Sequence, residues 1–129
     1  MKEGIINIFK SAMQSKYISQ DSTLIERFKV FCFKYDLEAL ILASKESLKR
    51  YLHTDQICVT WCIPVEDQNH EKPPKYIVED LFRKYGMNYN AKHDAPYICW
   101  MNEYQDIANE CKQCFKPFVD FLINLPEND

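Results

Sequence analysis

Six cysteines and three histidines are the side chains with the most to offer a metal or a substrate in this sequence. Four of the cysteines form close pairs, Cys58-x3-Cys62 and Cys111-x2-Cys114, while Cys32 and Cys99 stand alone. Four thiolates would complete a structural zinc set, and each spacing puts a pair on one side of a helical turn. Zinc pairs usually sit on tight knuckles among Gly and small polar residues, however. These lie in apolar, aromatic runs such as Ile57-Cys58-Val59-Thr60-Trp61-Cys62-Ile63, and so read as buried structural thiols. Cys111-Lys112-Gln113-Cys114 is no better as a redox pair. A reactive pair needs a helix N-terminus to lower its thiol pKa, and the apolar period around this one places it deep inside a helix. His53, His70 and His93 fall in or beside loops, and none has a Ser, Asp or Cys in a nucleophile pattern. His70-Glu71, near Glu66 and Asp67, lacks the helical frame of a metalloprotease motif. With only two glycines, Gly4 and Gly86, a Gly-rich phosphate loop is excluded as well. The expectation is no catalytic residue, no metal and no cofactor.

Charge is more informative. Residues 1–52 carry nine Lys and Arg against six Asp and Glu, and residues 53–129 seven against thirteen. The formal charge is therefore +3 in the first part and −6 in the second. An acidic surface is a poor host for nucleic acid or anionic membrane, but it suits a basic protein. Glu103, Asp106 and Glu110, spaced three and four apart, share one helix flank. No Lys or Arg lies at a spacing to pair with them, so they repel one another by a few tenths of a kcal/mol per pair. A solvated acidic face is the plain reading and a docking surface the sharper one. Glu66 and Asp67 in the polar loop Val65 to Pro74, and Tyr89 in the loop Met87 to His93, are expected to join that surface.

The element that would carry this flank is a long helix from Asp94 to Leu125. Asp94-Ala95-Pro96 reads as its start. Tyr97, Met101, Tyr104, Ala108, Cys111, Phe115, Phe118 and Leu122 recur at three and four as its buried stripe, widened by Trp100, Ile107 and Val119. Pro117 should kink it near Phe115 to Lys116. Upstream, an amphipathic helix is expected over residues 2–16, on Ile5, Ile6, Ile8, Phe9, Ala12 and Met13. A second carries Leu24 to Tyr35, and a third runs from Leu37 to about Leu52, capped by Asp36, with Glu46 and Arg50 paired. Leu40 to Ala43 has the composition of a buried strand too. A fourth spans Lys75 to Tyr85 with Ile77, Val78, Leu81 and Phe82 inward, Glu79–Arg83 and Asp80–Lys84 paired, and Gly86 as C-cap.

These patterns predict a mainly α fold over a single domain, residues 1–129: a compact bundle of five or six helices. The alternative for residues 57–63 is a short β-hairpin, since β-branched and aromatic residues crowd there. The 47% hydrophobic and 14% aromatic content suffices for a packed core. Met1 to Ile6 is too short an apolar run for a signal peptide, and no stretch approaches the roughly 20 apolar residues of a membrane span. Reduced thiols in the cytoplasm are therefore expected. The functional expectation is a small acidic binding protein that inhibits a basic partner, namely an immunity protein or antitoxin neutralising a nuclease toxin. An inhibitor of a nucleic-acid-binding host complex, of the kind phages encode, and a small thiol- or metal-dependent enzyme are the alternatives.

Overall fold

The computed structural model describes residues 2–15, 28–57, 65–67 and 72–126. The chain divides into two compact units, Met1–Cys32 and Phe33–Asp129. In the first, helix α1 (Lys2–Ser15) turns Ile6 and Phe9 inward, while Ile5 and Ile8 stay exposed. Phe9 stacks on Phe28 with ring centroids 3.8 Å apart, and the Lys2 ammonium lies over the Phe31 ring at 5.9 Å. The helix expected through Tyr35 does not extend over residues 28–35, which carry no helical structure; residues 21–27 lie outside the described residues.

The second unit holds α2 (Ala39–Ala43), α3 (Lys45–Tyr51), a 3-10 turn (Val65–Asp67), α4 (Pro74–Lys84), α5 (Asp94–Trp100), α6 (Tyr104–Glu110) and α7 (Phe115–Ile123). The protein is mainly α, as its periodicity predicts, with seven α-helices and no strand among the described residues. The helices are shorter and more numerous than expected. Of the ambiguous stretch 57–63, only Ile57 is described, outside any regular element.

The centre of the second unit is α2. Ala39, Ile41, Leu42 and Ala43 are buried, and α3, α4, α5, α6 and the 3-10 turn all pack on this single helical turn. Its composition also suits a strand because four of its five residues are buried, which erases the polar face that marks an amphipathic helix. The core continues through Leu48, Leu52, Val65, Ile77, Val78, Leu81, Phe82, Ile98, Ile107 and Cys111.

Three expected helices differ, each for a local reason. The expected Leu37–Leu52 helix breaks at Ser44, which is fully buried. The Ser44 hydroxyl donates to the Leu40 carbonyl at 2.8 Å, and its N–H reaches the Leu40 and Ile41 carbonyls; a hydroxyl competing for the backbone in this way favours helix ends. Asp36 caps no helix of its own. Its carboxylate accepts the Lys75 N–H in the first turn of α4, 3.2 Å away. The long Asp94–Leu125 helix is three helices, broken at residues 101–103 and 111–114. Pro117 does not kink a continuing helix; it sits in the first turn of α7, where its missing N–H goes unused. Each break resets the helical phase, so Tyr97, Tyr104, Phe118 and Leu122 are largely exposed, while Ile98, Ala108, Cys111 and Val119 are buried.

The expected ion pairs also change partners. Glu46 pairs with Lys49 at 2.8 Å, and Asp80 with Arg83 at 3.0 Å and with Lys72. Gly86 ends α4 as expected: with φ at 72° it lets Met87 N–H reach the Phe82 carbonyl and Gly86 N–H the Arg83 carbonyl, a Schellman motif.

Candidate functional site

The six residues expected to meet a partner do not form one surface. Glu66 is buried, and the 3-10 turn directs its carboxylate at the start of α7. There Oε1 accepts the N–H groups of Cys114 at 2.8 Å and Phe115 at 3.2 Å, and Oε2 accepts that of Gln113 at 2.6 Å. A helix start presents unsatisfied donors and partial positive charge, and a carboxylate answers both. Glu66 is therefore removed from the expected surface. Asp67, beside it, accepts the Gln113 side-chain N–H at 2.6 Å and pairs with Lys34. That carboxylate holds the Lys34 ammonium above the usual lysine range. Tyr89 is half-buried, with its ring 5.1 Å from Phe82 and its hydroxyl donating to Glu38 at 3.1 Å. Burial first, then Glu38, pushes its hydroxyl pKa up.

Glu103, Asp106 and Glu110 are exposed, and among the described residues none takes part in an ion pair. Their setting differs from a mid-helix flank. Glu103 is the N-cap of α6, with extended backbone at φ −73° and ψ 133°, and Asp106 lies in the first turn. The helix dipole favours negative charge at both places and opposes it at Glu110, the last residue.

On either side of Glu103 stands a set of exposed aromatics whose periodicity assigns them to the core. Trp100 is 80% exposed, Tyr97 57% and Tyr104 46%. The Tyr97 and Trp100 rings lie 6.1 Å apart, and Tyr97 also approaches Tyr51 at 6.1 Å. Residues 97–110 thus present three large aromatics and three carboxylates with no ion pair among the described residues. The signal for this in the sequence is local: Asn102-Glu103, two residues after Trp100, places two poor interior residues where a helix could end.

What anchors α5 is a buried acid. Asp94, 8% exposed, does not cap the helix; His93 occupies that place. Its carboxylate turns back to accept the Tyr51 hydroxyl at 2.6 Å and the Asn90 N–H at 2.5 Å. Asp94 in turn raises the Tyr51 pKa to about 12.

Burial acts on two of the described thiols. Cys111 is fully buried, and burial, with Glu66 and Glu110 adding negative charge, pushes its pKa up to about 12. Cys99 is raised by burial too. Cys114 does sit at a helix N-terminus, unlike the mid-helix position expected of it, but Glu66 already occupies the donors there. Cys58 and Cys62 lie outside the described residues, as does His70. Among the described residues no three His, Cys, Asp or Glu side chains gather as a metal site would require. His53 is exposed at the end of α3 and His93 at the start of α5. Among the described residues no helix is long and apolar enough to cross a membrane.

No curated protein and no solved structure matches this chain. The model of one family, DUF4276, described as a domain of unknown function, matches residues 3–123, nearly the whole chain, and the chain therefore belongs to the DUF4276 family.

Proposed function

We propose that this chain is a binding protein that inhibits a basic protein partner, and that the partner is a nuclease toxin which it neutralises in the cytoplasm. The observation that carries the reading is the stretch 97–110. Trp100 is 80% exposed beside Tyr97, Tyr104 is exposed in the same stretch, and Glu103, Asp106 and Glu110 have no ion pair among the described residues. Exposing that much aromatic surface costs about 25 cal/mol for each Å² left in water. Trp and Tyr are the commonest anchors of protein interfaces, and charges around them set association rate and partner choice. A nuclease cleft must be positive to hold phosphates, so carboxylates around an aromatic anchor complement it. The −6 charge of residues 53–129 extends the same sign over the rest of that part of the chain.

The test is capture from host lysate with the intact chain, followed by identification of the bound protein and assay of its nuclease activity with and without the chain. The expected partner is basic, elutes in salt, loses nuclease activity when bound, and is not retained by the Glu103→Lys/Asp106→Lys variant. Undiminished retention by that variant, or a partner whose nuclease activity is unaffected, overturns the reading.

A further inference from the structure

Between α2 and α5 lies a groove of about 430 Å³. Leu37, Leu40 and Ile41 line it from α2 and the residues before it, and Ala95, Pro96 and Cys99 from α5. This size and lining suit one or two apolar side chains. Leu37 is 62% exposed there, so the groove leaves aliphatic surface in water.

Two acidic residues, Asp36 and Glu38, line the same groove. Each spends one oxygen inside the fold: Asp36 Oδ2 accepts the Lys75 N–H, and Glu38 Oε1 accepts the Tyr89 hydroxyl. Among the described residues neither forms an ion pair, and the second oxygen of each has no partner.

These facts restrict the occupant from both sides. A purely apolar occupant would cover two carboxylates without neutralising them, and a charge taken out of water unpaired costs several kcal/mol. A purely cationic occupant would leave the Leu37 surface in water. A long side chain with an apolar stem and a charged head, next to an aliphatic one, satisfies both.

We propose that the groove between α2 and α5 seats a segment of the protein partner in which an aliphatic side chain stands beside Lys or Arg, the aliphatic group against Leu37, Leu40 and Ile41 and the cation between Asp36 and Glu38. The proposal rests on the reading above that the partner is basic, and names what that partner must carry. The groove and the acidic stretch share α5, since Pro96 lines the one and Trp100, one helical turn on, stands in the other.

The test uses the full chain with isotope-labelled methyl groups and three synthetic peptides as probes, one with Leu-Arg pairs, one with Ser-Arg and one with Leu-Gln. The Leu-Arg peptide is expected to shift the methyl resonances of Leu37, Leu40 and Ile41 and to bind at least about tenfold more tightly than either control. Ala91→Leu, an exposed residue lining the groove, fills the space without disturbing the core and is expected to weaken binding about tenfold; Glu38→Gln should reduce the Leu-Arg peptide towards the Leu-Gln one. Equal binding of the Ser-Arg peptide, or no shift at these methyls, overturns the groove. With the native partner the two readings separate. Loss of capture in Glu103→Lys/Asp106→Lys with full capture by Ala91→Leu removes the groove and leaves the acidic stretch. Specific Leu-Arg binding together with full capture by the lysine variant supports the groove and removes the acidic stretch.

Discussion

The carboxylate of Glu66 accepts the backbone N–H of Cys114 at 2.8 Å, from a position 48 residues earlier in the chain. Through this bond and those from Gln113 and Phe115, a buried side chain in a 3-10 turn decides where α7 begins. Asp36 does the same for α4 through Lys75 N–H. Both acids act from elsewhere in the chain, whereas Asp94, at the start of its own helix, turns its carboxylate away from it.

Glu66→Ala leaves three N–H groups without their acceptor at a partly buried helix start. Each buried donor left unsatisfied costs about 1–3 kcal/mol, and lost caps alone about 1 kcal/mol, so a total loss of about 3 kcal/mol is expected in chemical denaturation. Glu66→Gln keeps one acceptor oxygen and should lose less. Equal stability of wild type and Glu66→Ala would contradict the capping role.

His53 ends α3 in the left-handed region, with φ at 53°. Thr54 N–H reaches the Lys49 carbonyl at 3.0 Å and His53 N–H the Arg50 carbonyl at 3.2 Å, the arrangement Gly86 makes at the end of α4. Glycine takes this conformation without the Cβ penalty of about 1 kcal/mol. His53→Gly is therefore expected to raise stability by about 0.5–1 kcal/mol, measured by the denaturation midpoint. A loss of stability would show that the imidazole makes a contact worth more than the strain.

Tyr51 donates to Asp94, and Asp94 holds its pKa at about 12 against the ordinary 10. The folded value lies above the unfolded one, so the neutral form is favoured in the fold. Its contribution is complete below pH 10 and fades as the pH rises through 12. Stability should therefore fall on the alkaline side over that window. Tyr51→Phe is expected to lower stability at neutral pH by about 1–2 kcal/mol and to flatten part of the alkaline decline, leaving the share of Tyr89, whose pKa is also raised. Tyrosinate absorbance followed against pH reads the same groups directly.

Cys111 is fully buried and its pKa is pushed up to about 12. The thiolate is the reactive form, so at pH 8 a thiol reagent should label Cys111 only as fast as the fold opens, with the rate rising in denaturant. Rapid labelling in the native protein would place Cys111 at a dynamic surface.

Trp100 bears little on the fold and is expected to bear heavily on binding. Trp100→Ala should change stability by less than about 0.5 kcal/mol, as exposed positions do, and weaken partner binding by about 2 kcal/mol, roughly thirtyfold. Glu103→Lys should act mainly on the association rate and its salt dependence. If Trp100→Ala unfolds the chain and leaves binding intact, the ring belongs to the fold.

How far local pattern reaches is plain in α4. Ile77, Val78, Leu81 and Phe82 repeat at helical spacing, prolines stand at its start, and Gly86 closes it; structure and pattern agree to within a residue. The period of residues 97–122 is equally regular, yet it sorts Trp100 and Tyr97 into a core they do not join. A periodic stripe assumes one uninterrupted helix, and two breaks of three to four residues rotate everything downstream. At the second break the carboxylate that meets the new helix start, that of Glu66, lies 48 residues away in the chain.

The amino-acid sequence by itself determined the helical class, the inward face of α4, the sign of charge on residues 53–129 and the acids at 103, 106 and 110, because these depend on composition and on neighbours within a turn. Only the tertiary structure decided that Glu66 is a buried cap, that α2 is the centre, that Trp100 faces water, and that Asp36 and Glu38 share a groove with Leu37. Each of these depends on which distant backbone donor or apolar wall a side chain meets, and burial of polar groups is stable only where such partners close around them.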